Sequence, residues 1–336
     1  MRRALVGSRS FGEFVSVGEK TLVKVGFEVS RVRPEEQPLD ASKMRRIVAR
    51  DNPDVIICGA EPITEDVLAA SNRLRMVMKH GVGVDNIDLD AATKLGIVVA
   101  YAPGTNASAV ADMTIVAMLA LLRGYCQASN STKAGGWKRF MGHELGEMTV
   151  GIVGTGRIGT ELIRRLQGFG AEMLAYDVVK NATLESKYTL RYFSLEELLK
   201  TSDIVTLHVT LSEQTRKMIG TGEIEMMKQS AYLINTARGE LVDEDALYHC
   251  LKAMRIAGAA LDVFATELPQ SSPLLRLDNV LATPHIAAYT YEAMARMDRT
   301  CAETIVDTFH GKRCANVLNP AVYDAFQASI PLILCQ

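Results

Sequence analysis

The chain has 336 residues, of which 48% are hydrophobic and 23% are charged, and its formal net charge is −2. This length and composition predict two globular domains. The near-neutral charge argues against nucleic acid or a membrane surface as a partner, and no apolar stretch reaches the roughly 18 residues of a membrane span. The six cysteines have no CxxC or metal-ligand spacing, which predicts reduced thiols, no metal site and a cytoplasmic location.

Strand-like and helix-like patterns alternate along the first hundred residues, which predicts a parallel α/β unit. This unit has no glycine-rich phosphate loop. The predicted strands cover 4–6, 28–32, 54–58, 74–79 and 97–100, and the predicted helices cover 41–51, 64–70 and 91–95.

A long apolar helix is predicted over residues 107–123, rich in Ala, Met and Leu. A helix that is apolar all round is buried, either in a core or at a subunit interface. Both alternatives stay open here, and the second predicts a homodimer. The glycines and aromatics of segment 135–140 are expected to break the helix before the next unit begins.

The second α/β unit begins at Thr149, and six strands are predicted for it. A helix over 292–309 follows without a strand of its own, so we expect it to pack on the first unit. The fold class is therefore α/β with two doubly wound parallel sheets: a discontinuous substrate domain, 1–102 and 291–336, and a dinucleotide-binding domain, 103–290. The predicted strands of the second unit cover 149–153, 172–176, 204–208, 232–235, 257–261 and 280–282.

A glycine motif follows the first strand of this second unit. Gly154 allows a tight turn, Gly156 lets the backbone approach a pyrophosphate, and Gly159 lets the next helix, predicted over 161–166, pack closely on the strand. Asp177 ends the following strand, where a carboxylate can accept hydrogen bonds from the ribose hydroxyls of NAD and oppose the phosphate of NADP. An ordinary glycine-rich turn would not need this acid, so the pattern predicts a Rossmann-like NAD site.

Three ionisable residues follow the last three predicted strands. Arg238, Glu267 and His285 each come shortly after a strand end. Each alone has an ordinary explanation, as a surface cation, a helix-start acid and a loop histidine. Because ligands bind beyond the carboxyl ends of parallel strands, we expect all three to converge near the nicotinamide.

These residue types fit the oxidation of a 2-hydroxy acid. Histidine exchanges a proton near neutral pH, as loss of the hydroxyl proton requires. A neighbouring carboxylate orients the imidazole and stabilises its charged form. An arginine binds an α-carboxylate with two parallel hydrogen bonds. The substrate is therefore expected to be a small 2-hydroxy or 2-keto acid.

The motifs resemble those of the D-isomer-specific 2-hydroxyacid dehydrogenases, in a form similar to phosphoglycerate dehydrogenase. The resemblance covers roughly residues 50–320. It is carried by the glycine loop and by the segments 80–88 (HGVGVDNID), 102–106 (APGTN), 235–239 (NTARG), 261–264 (LDVF) with Glu267, and 284–287 (PHIA).

The resemblance implies roles for individual residues. Arg238 would bind the substrate carboxylate together with the backbone of Val82 and Gly83, and Glu267 and His285 would form the acid/base pair. Lys79 can supply a further positive charge for the substrate. The residues expected along the cofactor are Gly154, Gly156, Arg157, Ile158, Gly159, Asp177, Thr210, Thr215, Ala237 and Asp262.

Two alternatives to such a dehydrogenase stay open. A dinucleotide-sensing co-regulator of the same fold would keep similar residues and act by binding partners. It would also be expected to carry disordered or peptide-binding segments, which the sequence does not show. A phosphite-type dehydrogenase is the second alternative, whereas a formate enzyme of this superfamily is expected to have Gln in place of Glu267.

Overall fold

The computed structural model describes residues 1–267, 269–323 and 326. The chain divides into two compact units, Met1–Asn106 together with the segment from Tyr289 onward, and Ala107–Ala288. The first boundary falls after residue 106 against a predicted 102, and the second after residue 288 against a predicted 290.

The first unit is built on a five-stranded, all-parallel sheet. Its strands β1–β5 are Arg2–Val6, Phe27–Arg31, Val55–Cys58, Met76–Lys79 and Val98–Ala100. They lie in the order β2-β1-β3-β4-β5. Every residue of β3, β4 and β5 is buried, as expected for strands covered by helices on both faces.

Helices cover this sheet, and their ends follow local capping chemistry. The helices of the first unit are α1 (Val17–Lys24), α2 (Ala41–Asp51), α3 (Glu65–Leu68), α4 (Leu89–Lys94) and α12 (Tyr291–Phe309). Asp40 accepts a hydrogen bond from Lys43 N at 2.8 Å and starts α2, which ends at Asn52 in the left-handed conformation (φ 45°). Thr290 caps α12, which packs on α1 and β4.

The second unit is built on a seven-stranded, all-parallel sheet. Its strands β6–β12 are Thr149–Val153, Glu172–Tyr176, Leu190–Tyr192, Ile204–Leu207, Tyr232–Asn235, Gly258–Leu261 and Val280–Ala282. They lie in the order β12-β11-β10-β9-β6-β7-β8. The prediction of six strands was wrong by one: β8 pairs with β7 at the sheet edge and has three residues, too few for a period-2 pattern.

The helices of this unit correct two further predictions. They are α5 (Ala107–Leu122), α6 (Tyr125–Lys133), α7 (Arg157–Leu166), α8 (Ala182–Lys187), α9 (Leu195–Thr201), α10 (Thr221–Met226) and α11 (Glu244–Lys252). α7 begins at Arg157, inside the glycine motif, and not at 161. α6 was not predicted; Gly124, with φ 53°, separates it from α5.

The apolar helix α5 lies mainly in the core of the second unit. It packs against α7, β10 and β11, and Met118 and Leu122 are buried there. Among the residues described, no single helix is long and apolar enough to cross a bilayer. Taken together, α5 and α6 reach the required length and hydropathy, but their axes are bent by 66°.

Candidate active site

The glycine loop between β6 and α7 has the backbone geometry of a phosphate cradle. Gly154 has φ +100°, and a Cβ there would lie 2.7 Å from the carbonyl carbon of His208. A Cβ on Gly159 would lie 2.1 Å from Gly154 O, whereas one on Gly156 would meet nothing within 4 Å. Thus two glycines are required by close packing, and Gly156 borders open space before the helix N-terminus. This arrangement fits the pyrophosphate of a dinucleotide.

Asp177, directly after β7, lies beside this loop and is half-buried. Its Oδ2 accepts hydrogen bonds from Thr155 N at 2.7 Å and from Thr155 Oγ1 at 3.0 Å, and its Oδ1 accepts from Val179 N at 3.2 Å. Tyr192 of β8 donates to Thr155 Oγ1 at 2.9 Å. The carboxylate is therefore held in a fixed position next to the glycine loop, where it fits a ribose.

The segment after β9 forms a compact turn next to the same loop. Thr215 Oγ1 donates to Thr210 O at 2.7 Å and accepts from Ser212 N at 2.8 Å, so both predicted threonines shape this turn. His208 has Nε2 3.0 Å from Thr206 Oγ1. Its Nδ1 is buried without a hydrogen-bond partner among the described residues, and burial lowers the pKa of His208 to about 3.

Arg238 is presented by a turn that Asn235 stabilises at the end of β10. The buried Asn235 amide donates to Arg238 O at 2.7 Å and accepts from Ala237 N at 3.0 Å. Arg238 is half-buried, and its Nη1 donates to Ala237 O at 2.7 Å. A Cβ on Gly239 would lie 1.9 Å from the carbonyl carbon of Phe264, so this turn packs directly on the segment after β11.

His285 and Glu267 form a close pair. His285 Nδ1 lies 2.6 Å from Glu267 Oε1, and the two side chains are 44% and 56% exposed. Nε2, the other ring nitrogen of His285, has no hydrogen-bond partner among the described residues. An ionised carboxylate accepts from Nδ1–H, which leaves Nε2 to exchange a proton with a ligand.

Asp262 holds the segment that carries His285. It is buried, and its Oδ1 accepts from Thr283 Oγ1 at 2.6 Å and from Ile286 N at 2.9 Å, while its Oδ2 accepts from Ala287 N at 2.8 Å. His285 N donates to Asp262 O at 2.8 Å, and His285 has φ 54°, a left-handed conformation that is uncommon outside glycine. Asp262 was predicted to lie along the cofactor. In the structure, both oxygens of its carboxylate accept hydrogen bonds from the segment 283–287.

The predicted residues of the first unit lie at and beyond the carboxyl end of β4. Val82 and Gly83 are partly exposed in the segment that follows Gly81 (φ 156°). Lys79 is 7% exposed, and its Nζ donates to Gly59 O at 2.5 Å and to Asn86 Oδ1 at 2.6 Å. A substrate contact by Lys79 would have to compete with these bonds, which tie the segment after β3 to Asn86.

The structure thus brings some of the predicted residues into contact, and it shows further residues that support them. It pairs Glu267 with His285 and sets Asp177 against the glycine loop. Sequence reasoning missed the supporting residues. Asn235 and Thr283 stand inside the motifs that were singled out and carry a signal, whereas Tyr192 lies on an unpredicted strand and carries none. The supporting residues are Tyr192, Asn235, His208 and Thr283.

Known proteins resemble this chain over most of its length. Residues 115–287 match the family described as "D-isomer specific 2-hydroxyacid dehydrogenase, NAD binding domain". D-3-phosphoglycerate dehydrogenase of Methanocaldococcus jannaschii is 40% identical over 304 residues, which are 89% of this chain and 57% of that protein. Glyoxylate reductase of Korarchaeum cryptofilum is 37% identical over 315 residues, which are 91% of this chain and 94% of that protein.

A solved structure agrees with these relatives. D-lactate dehydrogenase of Aquifex aeolicus, in complex with NAD and lactic acid, has a TM-score of 0.83 at 30% identity, covering 95% of this chain and 99% of that one. The chain spans little more than half the length of the M. jannaschii phosphoglycerate dehydrogenase. It is a two-domain protein of the dinucleotide-binding class, and its second unit is an NAD-binding domain. The chain belongs to the family of D-isomer-specific 2-hydroxyacid dehydrogenases.

Proposed function

We propose that this chain is an NAD-dependent dehydrogenase that interconverts a small D-2-hydroxy acid and its 2-keto acid. The observation that carries the proposal is the 2.6 Å contact between His285 Nδ1 and Glu267 Oε1 at the edge of an NAD-binding sheet. NAD, when bound, supplies hydride acceptance or donation, and the side chains of the protein supply substrate binding and proton transfer.

Each catalytic side chain has its own role. Arg238 binds the substrate α-carboxylate with two parallel hydrogen bonds and polarises the reacting oxygen. In the first unit, the backbone N–H groups of Val82 and Gly83 are the donors that we assign to a substrate carboxylate. His285 takes the hydroxyl proton through Nε2 during oxidation and returns it during reduction. Glu267 fixes the imidazole orientation through Nδ1 and stabilises the ring when it is protonated.

The substrate is proposed to be a small 2-keto acid without a phosphoryl group. The segment after β3 carries Glu61, a buried acid whose carboxylate accepts from Gly59 N at 2.5 Å. The ammonium of Lys79 is engaged by Gly59 O and Asn86. An acid at this place and a lysine with these bonds favour a substrate that brings a single negative charge.

The cofactor preference is proposed to be NAD over NADP. Asp177 holds a carboxylate beside the glycine loop, where it would oppose a 2′-phosphate. Catalytic efficiency with NADH and with NADPH measures this preference directly. Equal efficiency with both would contradict it, and Asp177→Ala is expected to narrow the difference.

We also propose that the protein is a homodimer that uses the surface around α6. Four large apolar side chains of segment 116–141, which contains α6, are exposed: Val116 (56%), Tyr125 (68%), Trp137 (80%) and Met141 (101%). An apolar surface of this kind favours a protein partner. Light scattering of the purified protein tests the state, and a monomer at micromolar concentration would contradict it. The cytoplasmic location stays a prediction of the cysteine pattern.

The experiment for the main proposal is NADH consumption with a panel of 2-keto acids. The panel contains glyoxylate, hydroxypyruvate, pyruvate, phosphohydroxypyruvate, 2-oxoglutarate and sulfopyruvate. Arg238→Ala is expected to lose most activity, because losing a bidentate charged contact costs about 3 kcal/mol or more in a desolvated site. Arg238→Lys is the matched variant that keeps the charge without the planar fork, and NADH binding is expected to be unchanged in both.

Three outcomes would contradict the proposal. Near-normal turnover of Arg238→Ala would remove the carboxylate-binding role. NADH binding by the parent without turnover of any acid would favour a co-regulator. Turnover of phosphite in place of the keto acids would favour a phosphite-type enzyme.

A further inference from the structure

A second histidine–carboxylate pair lies inside the first unit, outside the proposed catalytic residues. His80, directly after β4, has Nε2 2.9 Å from Asp298 Oδ1 on α12, and neither side chain is exposed to solvent. Its Nδ1 lies 3.0 Å from Ser10 Oγ and 3.3 Å from Ser8 Oγ. Both ring nitrogens therefore have protein partners. The ring of Phe11 covers the imidazole edge-on, with the centroids 5.5 Å apart.

The same pair holds the segment that follows β1. The second oxygen of Asp298, Oδ2, accepts a hydrogen bond from Gly12 N at 3.1 Å. Arg31 of β2 adds another bond to this segment, from Nη1 to Phe11 O at 2.6 Å. His80 and Asp298 thus connect three parts of the first unit: the end of β4, the segment 8–12 and the helix α12.

His80 also lies two residues before Val82, the first of the two residues whose backbone N–H groups we propose to bind the substrate carboxylate. Gly81, with φ 156°, separates it from Val82 and Gly83. The backbone is fixed at this point by His80 N, which donates to Cys58 O at 2.8 Å, and by Gly81 O, which accepts from Ala102 N at 3.0 Å. The bonds of the imidazole fix the direction in which the chain leaves β4.

Stability alone gives little reason for such a pair. Burying two ionisable side chains costs desolvation energy, and apolar side chains of similar volume often stabilise a core as well or better. Directional hydrogen bonds at both ring nitrogens and both carboxylate oxygens instead determine orientation. Because His80 precedes the segment proposed to bind the substrate, fixing its orientation also fixes the orientation of that segment.

We propose that His80 and Asp298 are positioning residues for the substrate. They hold the backbone N–H groups of Val82 and Gly83 in the geometry that binds the carboxylate. This inference rests on the proposed function, and it adds two residues that do not touch the substrate.

The test is a double-variant cycle with His80→Ala, Asp298→Ala and the combined variant. Each single variant is expected to raise KM for the preferred keto acid roughly tenfold, about the value of one lost hydrogen bond. The turnover number is expected to fall less than twofold to threefold, and Kd for NADH, measured by fluorescence titration, is expected to be unchanged. Asp298→Asn keeps an acceptor for the imidazole and is expected to restore KM toward the parent value.

The combined variant separates positioning from stability. His80→Ala leaves a buried carboxyl group without its ring partner, so the urea midpoint of unfolding falls, and removing both groups relieves the part of this loss that comes from the unpaired carboxyl group. If the pair positions the segment, KM stays raised in the combined variant although stability recovers in part. Thr308→Val is the matched control, since it removes another buried hydrogen bond of α12, to Tyr323 Oη at 3.1 Å.

Two results would overturn the inference in different ways. A KM that recovers together with stability, or that never rises while the parent is active, overturns the positioning role alone. A parent protein that binds NADH but turns over no keto acid overturns the proposed function, and the positioning role with it.

Discussion

Each unit of the protein holds a histidine near the carboxyl end of a strand, paired with a carboxylate from elsewhere in the chain. In the first unit, His80 and Asp298 are fully buried, and both ring nitrogens are hydrogen-bonded. In the second unit, His285 and Glu267 are about half exposed, and the contact uses Nδ1 of the ring. The same two groups can therefore hold a segment in place or exchange a proton. Burial and the occupancy of the second nitrogen decide between these uses.

Removing His285 from the exposed pair His285–Glu267 should lower the turnover number. His285→Ala is expected to lower the turnover number by roughly 10²–10⁴-fold in both directions, the usual contribution of a general acid or base. Kd for NADH is expected to be unchanged. His80→Ala is the matched comparison, because it should act on KM. Equal losses of turnover in the two variants would contradict the distinction between the pairs.

Asp262 holds the segment that carries His285, and its substitution should cause the next largest loss of turnover. Asp262→Asn replaces one acceptor oxygen by a donor, so Ile286 N or Ala287 N loses its partner and the left-handed conformation of His285 loses support. Turnover is expected to fall roughly tenfold to a hundredfold, in keeping with the sensitivity of catalysis to small misplacements.

Thr283→Val is the control for that variant. It removes one bond to Asp262 Oδ1 and leaves both backbone bonds of the carboxylate in place. Its turnover is expected to stay within about threefold of the parent. If the two variants lose the same activity, the hydroxyl and not the backbone bonds positions His285.

The two pairs also differ in how far sequence could predict them. Arg238, Glu267 and His285 follow consecutive strand ends in the sequence, and parallel topology brings such positions to one edge. His80 and Asp298 are 218 residues apart, and neither stands in a pattern that indicates the other. Their contact depends on α12 packing against α1 and β4. Long-range packing of this kind has no signal in one sequence.

The fold shows the same limit at the scale of elements. The largely apolar strands β6 and β10 were predicted with their observed bounds. The three-residue strand β8 and the helix α6 were missed, because their positions depend on the edge of the sheet and on a turn at Gly124.

Glu267→Gln should change the pH dependence of the exposed pair and leave its shape. Reduction requires the protonated imidazole, and the Glu267 carboxylate at 2.6 Å stabilises it. Without that charge, reductive turnover is expected to be lost at a lower pH than in the parent. Oxidation, which requires the neutral ring, should be comparatively spared. Rate profiles from pH 5 to 9 in both directions give the answer, and an unchanged reductive profile would make Glu267 structural.

A third histidine, His208, has no carboxylate partner among the described residues, and its substitution is expected to change the pH dependence of stability. Burial lowers the pKa of His208 to about 3, against an ordinary value near 6.5. The unfolded chain therefore binds a proton between these two values and the folded chain does not. The contribution of His208 to the free energy of unfolding is fully present above about pH 6.5. It falls by at most about 1.4 kcal/mol per pH unit as the pH drops toward 3.

His208→Gln tests this dependence. Relative to the parent, the variant should lose less unfolding free energy between pH 7 and pH 5, measured with urea. The exposed His310→Gln is the control and should follow the parent. If His208→Gln follows it too, the ring of His208 gains a proton in the folded state, and burial without a carboxylate does not keep a histidine neutral here.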